Sequence, residues 1–223
     1  MNENDKVVRF NKLYDQIKDD FDLYLDDIKD CLKNSDFIGG SKIKDFEKAF
    51  AILNSSNFCV SCGNGTDSLT LAMKSLNIKP NDEVIVPALS WISTSETVTF
   101  AGGKVVFCDV DYDSFTIDTS KIQSLITENT VGIIPVHLYG HPADMPKIMK
   151  IAQDNNLWVI EDCAQAHLAE ISGTKVGNFG NFGSFSFFPG KNLGAFGDAG
   201  AIVTKDESLS ENFTRYERHG GLQ

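Results

Sequence analysis

The sequence predicts an α/β domain in which a mostly parallel central sheet is flanked by helices. From Phe58 onward, short runs rich in β-branched and aromatic residues alternate with helical stretches, and this alternation is typical of βα units. Several of the short runs are continuously apolar, as expected of strands that are buried on both faces. With 223 residues, of which 42% are hydrophobic, the chain is long enough to bury the core of such a domain.

Residues 1–36 precede the alternation and are expected to form a separate amphipathic helical segment. Their apolar side chains recur at steps of three and four, at Phe10, Leu13, Ile17, Phe21, Leu25, Ile28 and Leu32. The aspartates between them occupy other faces, which we interpret as the solvated side of the helix. The Gly39-Gly40 pair ends this pattern, and Ser41 could cap a second helix through about Leu53.

Residues 37–223 are expected to form one large domain. Its predicted strands cover residues 58–61, 83–86, 104–108, 132–136, 158–161, 184–187 and 201–204. Its predicted helices cover about 66–76, 93–101, 119–126, 144–155 and 207–219. Ligands of parallel sheets bind beyond the carboxyl ends of the strands, so the residues that follow each strand are the candidates for function.

Composition and charge argue against several classes of partner. Lys and Arg number 20 against 31 Asp and Glu, and the net charge of −11 disfavours binding to nucleic acid or to an anionic membrane. The five cysteines are irregularly spaced and make no disulfide framework, which suits a reducing cytoplasm. The chain starts with a polar, acidic segment, and no apolar run approaches the ~20 residues of a membrane span, so we expect a cytoplasmic protein.

The segment SCGNGTDS, residues 61–68, follows a predicted strand and opens a predicted helix. The N–H groups of Gly65 and Thr66 would then face an anion at the positive end of the helix, and a phosphate is the natural ligand. Ser68 replaces the third glycine of a dinucleotide-binding loop, and no lysine follows as a P-loop requires. Taken alone, the segment fits a phosphate site or an ordinary glycine turn.

Two further motifs contain candidate catalytic residues. In VIEDCAQAH, residues 159–167, an apolar strand ends in Glu161 and Asp162. A buried carboxylate is costly unless it is paired, so this strand end indicates a cationic ligand, a structural salt bridge or a helix cap. Lys191 is the only lysine in the apolar, glycine-dense stretch 176–204. A partly desolvated amine is a good nucleophile and forms Schiff bases.

These three motifs together indicate one site. A helix-end phosphate site, a strand-end aspartate and a loop lysine are the combination expected of pyridoxal 5′-phosphate chemistry. The phosphate would anchor the cofactor, Asp162 would keep its pyridine nitrogen protonated, and Lys191 would form the Schiff base.

The chain resembles the sugar aminotransferases of the DegT/DnrJ/EryC1/StrS family, which are fold-type I pyridoxal phosphate enzymes acting on nucleotide-linked keto sugars. The likeness extends from about Phe37 to His219 and rests on FIGG, GNGTDSL, DEVIVPALSW, GGKVVFCDVD, IIPVHLYGHPADM, VIEDCAQAH, FSFFPGKNLGAFGDAG and RHGG, in the family's order. The resemblance implies a fold-type I large domain. Family members continue beyond RHGG into a small C-terminal domain that is missing here, so we expect a truncated or partial chain.

The resemblance also implies roles for individual residues. Lys191, in PGKNLGA, matches the Schiff-base lysine, and Asp162, in EDCAQAH, matches the aspartate at the pyridine nitrogen; these two are the expected catalytic residues. The other expected cofactor contacts are Gln165 near the phenolic oxygen, Trp91 stacked on the ring, and Gly65, Thr66 and Ser186 at the phosphate. For Trp91, a core tryptophan is the alternative.

The implied reaction moves an amino group from glutamate to a nucleotide-linked keto sugar, giving amino sugars for surface polysaccharides or glycosylated metabolites. A homodimer is implied as well, because related enzymes build their active sites at a subunit boundary. Lys191 argues against the dehydratases of the family, which carry His at that position. An aminocyclitol aminotransferase and an inactive fragment or assembly partner are the alternatives that the motifs leave open.

No metal site is expected among the remaining candidates. His137 and His141 have the i, i+4 spacing of a zinc helix, but the glycine and proline beside them favour a turn. Cys59 and Cys62 form a single C-x-x-C pair with the spacing of a strand, which does not favour metal or redox chemistry. His167 either faces the substrate or is a hydrogen-bonded structural histidine.

Overall fold

The structure, a computed structural model, describes residues 11–220 and divides into two compact units, Met1–Lys44 and Asp45–Gln223. The predicted α/β architecture with a mostly parallel sheet is confirmed in the second unit. Phe10 of the predicted amphipathic pattern and the last three residues, 221–223, lie outside the described residues.

In the first unit, a 3₁₀ turn at Lys18–Asp20 separates helix α1 (Leu13–Ile17) from helix α2 (Phe21–Asn34). The predicted amphipathic helix is therefore interrupted, and the residue before α2, Asp20, has non-helical angles of φ −107° and ψ 9°. The predicted break at Gly39-Gly40 is confirmed, because both glycines have positive φ. Helix α3 (Gly40–Leu53) follows and contains the boundary between the units.

The second unit contains a seven-stranded sheet in the order β1-β9-β8-β5-β4-β2-β3 and a separate hairpin of β6 and β7. The strands are β1 (Phe58–Cys62), β2 (Glu83–Pro87), β3 (Lys104–Cys108), β4 (Thr130–Ile133), β5 (Trp158–Asp162), β6 (Glu170–Ile171), β7 (Thr174–Lys175), β8 (Phe182–Ser186) and β9 (Gly200–Thr204). Strands β8, β5, β4, β2 and β3 pair in parallel, whereas β9 is antiparallel to β1 and β8. No helix lies between β8 and β9, so the chain returns without the crossover that parallel pairing needs.

Helices cover both faces of this sheet. They are α4 (Gly65–Ser75), α5 (Ser93–Ala101), α6 (Thr119–Leu125), α7 (Met145–Asp154) and α8 (Glu207–Glu217). Val84 and Val86 of β2 belong to the same buried cluster as Met73 of α4, whereas Ile85 belongs to the cluster that contains Ile148 of α7. Successive side chains of a strand point to opposite faces, which explains why the apolar run of β2 is continuous.

Side-chain caps begin four of these five helices. Asn64, Asp118, Asp144 and Asp206 each accept a hydrogen bond from a backbone N–H in the first turn of α4, α6, α7 and α8 respectively. Helix α5 differs, because Ile92 precedes it and makes no capping hydrogen bond through its side chain. The hydroxyl groups at the start of α5 instead contact residues of other elements.

None of the helices in residues 11–220 is long and apolar enough to cross a membrane.

Candidate active site

A cavity of about 650 Å³ is lined by residues that follow several strands of the sheet. All the residues predicted to contact the cofactor line it: Gly65, Thr66, Trp91, Asp162, Gln165, Ser186 and Lys191. Asp162 and Ser186 are the last residues of β5 and β8, which are parallel, and Gly65 begins the helix after β1. The cavity therefore lies where parallel sheets bind their ligands.

A second cavity, of about 570 Å³, has a different lining. It contains four acidic residues and none of the predicted cofactor contacts; the acidic residues are Asp111, Asp118, Asp144 and Glu170. Because none of the predicted cofactor contacts lines this second cavity, the first cavity is the candidate for a phosphate-bearing ligand.

The start of α4 provides the candidate phosphate site. Asn64 is extended and caps the helix by accepting a hydrogen bond from the N–H of Asp67 at 2.8 Å. A β carbon built on Gly65 would lie 2.7 Å from Cβ of Ser186, so the absence of a side chain allows the helix end to approach β8. Free N–H groups of the first turn and the Thr66 and Ser186 hydroxyls therefore face the same cavity.

Helix α5 adds a second contact at this end of the cavity. Oγ1 of Thr66 lies 2.8 Å from Oγ of Ser93, the first residue of α5. Ser93 also lines the cavity, although the sequence analysis did not identify it. The starts of two helices therefore meet where an anion would bind.

Asp162 is held by two hydrogen bonds and is only 6% exposed. Its Oδ2 accepts a hydrogen bond from Thr94 Oγ1 at 2.8 Å, and its Oδ1 accepts one from the N–H of Ala164 at 3.2 Å. Burial raises the pKa of Asp162 above its ordinary value, although both hydrogen bonds and the nearby Lys191 act in the opposite direction. A cationic ligand atom would therefore stabilise the carboxylate.

Lys191 lies on the loop between β8 and β9, and its side chain is partly buried. The loop is closed by two backbone hydrogen bonds, from Lys191 N–H to the carbonyl of Phe188 and from Ala195 N–H to the carbonyl of Phe187. Within the part of the chain that the structure describes, Lys191 takes part in no salt bridge. Its amine is therefore not held by a carboxylate and can react with a ligand in the cavity.

Gln165 has a fixed orientation that the sequence did not reveal. Its Oε1 accepts a hydrogen bond from the backbone N–H of Tyr139 at 2.7 Å. Tyr139 adopts a left-handed conformation (φ 55°) in the 3₁₀ turn Leu138–Gly140. Because the amide oxygen is engaged, the NH₂ group of Gln165 is the part left to donate to a ligand oxygen.

Trp91 and Phe188 provide aromatic surface at the cavity. Trp91 is 72% exposed, so the alternative interpretation as a core tryptophan is wrong. Phe188 also lines the cavity and is largely exposed. An aromatic ring in this position can stack on a flat ligand.

His137 has structural surroundings. His137 is fully buried, and its Nδ1 accepts the N–H of Ala143, so Nε2 donates to Oε2 of Glu161 at 3.2 Å. Glu161 accepts three backbone N–H groups as well, from Gly177, Phe179 and Gly180. Although His137, Glu161 and Cys163 lie close together, these donors occupy the lone pairs that a metal ion would need.

His141 and His167 have different surroundings from each other. His141 is exposed beside the 3₁₀ turn, so the predicted turn is confirmed and no zinc helix includes it. The ring of His167 packs between Phe185 and Phe187, with ring centroids 5.5 and 5.4 Å away. Burial lowers the pKa of His167, and nearby Lys191 lowers it further.

Taken together, the cavity residues fit a ligand with a phosphate at one end and a cationic ring nitrogen at the other. The phosphate would lie where Gly65 packs closely against Ser186. The cationic nitrogen would lie beside the buried carboxylate of Asp162. The oriented amide of Gln165 and the amine of Lys191 lie on the same cavity. These are the contacts that pyridoxal phosphate requires.

Comparison with known proteins agrees with this geometry. The sequence matches the DegT/DnrJ/EryC1/StrS aminotransferase family over residues 19–223. It is 46% identical over 202 residues to the UDP-N-acetyl-3-dehydro-α-D-glucosamine 3-aminotransferase of Acidithiobacillus ferrooxidans, which covers 91% of this chain and 55% of that relative.

Solved structures show the same similarity. DesV of S. venezuelae, in complex with a ketimine intermediate, superposes with a TM-score of 0.91 at 36% identity, over 97% of this chain and 58% of DesV. NtdA from Bacillus subtilis, with bound cofactor PMP, superposes with a TM-score of 0.88 at 32% identity, over 96% of this chain and 49% of NtdA. The chain therefore spans about half the length of the relatives it matches.

Proposed function

Because this chain belongs to the DegT/DnrJ/EryC1/StrS aminotransferase family, we propose that residues 37–223 form the cofactor-binding large domain of a pyridoxal phosphate-dependent aminotransferase. The proposed reaction moves an amino group from glutamate to a nucleotide-linked keto sugar. The observation that carries the proposal is the single cavity shared by the Lys191 amine, the buried Asp162 carboxylate and the start of α4.

Each cavity residue has a separate task in holding the cofactor. The first N–H groups of α4, with the hydroxyls of Thr66 and Ser186, would hold the phosphate. The carboxylate of Asp162 would accept a hydrogen bond from the protonated ring nitrogen, and the NH₂ group of Gln165 would donate to the phenolic oxygen. Trp91 would cover one face of the ring.

Lys191 and Asp162 would carry the chemistry. When bound, pyridoxal phosphate supplies an electron sink through which an amino group can pass from a donor to a keto acceptor. Asp162 would keep a proton on the ring nitrogen, which maintains that sink. Lys191 would hold the cofactor through Nζ until glutamate displaces it; its free amine would then act as the base that removes the proton from the α carbon of glutamate.

The substrate proposal rests on the relative from Acidithiobacillus ferrooxidans, whose name specifies a UDP-linked keto sugar. We therefore propose a nucleotide-linked keto sugar as the amino acceptor, with an amino sugar for a surface polysaccharide or a glycosylated metabolite as the product. Phe188 is exposed beside the cofactor contacts and is suited to pack on a sugar ring.

We also propose that the working protein is a cytoplasmic homodimer. The loop after β2 leaves Leu89, Trp91 and Ile92 largely exposed. Several exposed apolar side chains in one loop, next to a ligand cavity, are typical of a surface that a partner covers. A second subunit there would also exclude water from the cavity.

Spectroscopy with substrates tests the proposed function. The protein reconstituted with pyridoxal phosphate should lose the long-wavelength absorbance of the bound cofactor when glutamate is added, and should release 2-oxoglutarate. Keto sugars linked to UDP, dTDP or GDP should then restore the absorbance and yield an amino sugar, detected by mass spectrometry. Lys191→Ala should neither release 2-oxoglutarate from glutamate nor yield an amino sugar. Amination of a keto cyclitol, with no reaction of any keto sugar, would instead support the aminocyclitol alternative.

A further inference from the structure

Thr94 contacts Asp162 inside the protein, although neither the motifs nor the proposed function assigns it a role. Its Oγ1 lies 2.8 Å from Oδ2 of Asp162, across 68 residues of sequence. Thr94 is 1% exposed, so water does not compete for this hydrogen bond. Thr94 is the second residue of α5, whereas Asp162 is the last residue of β5.

We propose that Thr94 is a positioning residue that orients the Asp162 carboxylate toward the cofactor ring and keeps it ionised. The inference rests on the proposed function and deepens it by adding a residue that acts through Asp162. Thr94 does not line the cavity, and any influence on the ring therefore passes through the carboxylate.

The direction of the hydrogen bonds follows from the chemistry of the groups. Ser90 Oγ lies 2.8 Å from Thr94 Oγ1, and Ser90 lines the cavity. An ionised carboxylate accepts only, so Thr94 donates its single proton to Asp162. Thr94 must then accept the hydrogen bond from Ser90. The result is a directed row of donors from Ser90 through Thr94 to Asp162.

Two fixed donors leave the carboxylate little freedom. Thr94 holds Oδ2 while the N–H of Ala164 holds Oδ1, so rotation of the carboxylate would break both hydrogen bonds. In addition, the N–H of Asp162 donates to the carbonyl of Pro135, and the N–H of His137 donates to the carbonyl of Asp162. The backbone and the side chain of Asp162 are therefore both fixed before any ligand binds.

Burial makes the donation from Thr94 important. Burial is the largest influence on the pKa of Asp162 and favours the neutral acid, which could not stabilise a protonated ring nitrogen. Among the groups that oppose this effect, Thr94 is the largest, ahead of Ala164, His137 and Lys191. Loss of the Thr94 hydroxyl should therefore favour protonation of Asp162 and weaken the electron sink.

Thr97 supplies a matched control for substitution of Thr94. It lies one turn later on α5 and is fully buried, but its Oγ1 donates to the carbonyl of Ser93 within the helix. Thr94→Val and Thr97→Val therefore remove the same atom from the same helix. Thr94→Ser restores the hydroxyl, and Thr94→Ala replaces Thr94→Val if the valine variant does not fold.

Two measurements test the inference. In the cofactor-free protein, a ¹³C NMR titration of the Asp162 carboxyl, identified with Asp162→Asn, should show a higher pKa in Thr94→Val and an unchanged pKa in Thr97→Val and Thr94→Ser. In the holoenzyme, Thr94→Val should lower kcat by roughly 10- to 100-fold with little change in the KM for glutamate, because a hydrogen bond to a charged group is lost. Thr97→Val should leave both kcat and the KM for glutamate unchanged.

The outcomes separate the inference from the proposed function. If the wild-type protein transaminates but Thr94→Val leaves the Asp162 pKa and kcat unchanged, Thr94 is structural and the inference is wrong. If the wild-type protein binds no pyridoxal phosphate, the proposed function is wrong and the positioning role of Thr94 is excluded with it. The NMR titration then still shows whether Thr94 donates to Asp162.

Discussion

Gln165 and Tyr139 are joined by a hydrogen bond in which the side-chain oxygen of Gln165 accepts the backbone N–H of Tyr139 at 2.7 Å. The bond decides which end of the amide a ligand meets. Asparagine and glutamine amides are both donors and acceptors, and without such a contact either end could face the cavity. Here the left-handed turn at Tyr139 selects the donor end, which suits an anionic oxygen on the ligand.

We expect Gln165→Glu to weaken cofactor binding. One oxygen of the glutamate would still accept the N–H of Tyr139, but the other would place a negative charge opposite the phenolic oxygen. The dissociation constant for pyridoxal phosphate should rise about 10-fold or more, as expected when a donor is replaced by a like charge. An absorbance titration with pyridoxal phosphate measures this dissociation constant. Gln153→Glu, an exposed position at the end of α7, is the control, and an equal effect there would contradict the role of Gln165.

We expect Lys191→Arg to abolish covalent attachment of the cofactor. Arginine keeps the positive charge but stays protonated, so it is not a nucleophile at neutral pH. Turnover should fall by about 10³-fold or more. Borohydride reduction and peptide mapping should locate the pyridoxyl group on Lys191 in the wild-type protein and in Lys205→Arg. A label on Lys175 or Lys205 would show that the assignment of Lys191 is wrong.

We expect Asp162→Asn to keep much of the bound cofactor but to lose most turnover. The proposed phosphate contacts of Gly65, Thr66 and Ser186 would not depend on this side chain, whereas protonation of the ring nitrogen would. A loss of about 10²- to 10⁴-fold in kcat would correspond to removal of a charged catalytic group. Stopped-flow measurement of the glutamate half-reaction tests it. A near-normal rate would show that Asp162 is structural.

The same substitution should stabilise the cofactor-free protein at neutral pH. The pKa of Asp162 is raised in the folded state, so between its unfolded value of 3.8 and the higher folded value the folded protein binds more protons than the unfolded chain. Stability from this group is therefore greatest at low pH and falls as pH rises through that interval. Asp162→Asn removes this decrease, and thermal melts of both proteins at a series of pH values from pH 4 upward should diverge as the pH rises through that interval. Parallel curves would contradict the burial argument.

We expect Gly65→Ala to weaken the phosphate site. The added methyl group would meet Ser186 Cβ at 2.7 Å, so either α4 or β8 must shift. Overpacking of this kind costs about 1–3 kcal/mol in stability, and the displaced N–H groups should lower affinity for pyridoxal phosphate and for inorganic phosphate alike. Gly197→Ala is the control, because a β carbon there meets nothing within 4 Å. Equal affinities for the two variants would count against this phosphate site.

The sequence predicted the features that depend on contiguous residues. The alternation of apolar runs with helical stretches located the strands of the sheet, and residues 61–68 and 159–167 identified the start of α4 and Asp162. The order and direction of the strands could not be predicted from these patterns. Strand β9 is antiparallel to β8, and an irregular loop rather than a crossover helix connects the two strands. The two-residue strands β6 and β7 are too short to show periodicity.

Contacts between distant segments could not be predicted. Thr94 lies in an unremarkable run of hydroxyl residues, and only the packing of α5 near the end of β5 brings it to Asp162. The orientation of Gln165 depends on a left-handed tyrosine, a conformation that the residue type disfavours. The interruption before α2 likewise arises from the backbone angles of Asp20, in a stretch with helical periodicity.

The start of α5, which has no side-chain cap, lies between the two ends of the proposed cofactor site. Ser93 and Thr94, its first two residues, contact Thr66 at the proposed phosphate end and Asp162 at the proposed ring end, so one helical turn spans the two proposed attachment points of the ligand. A ligand that binds only the folded form adds RT ln(1 + [L]/Kd) to the free energy of unfolding. Because the ligand would need an ordered α5, its binding would stabilise the start of this helix as well. The helix thus acts as a spacer of fixed length. Insertions or deletions in the preceding loop, residues 88–92, would shift this helix and Trp91 together and so change the match between protein and cofactor.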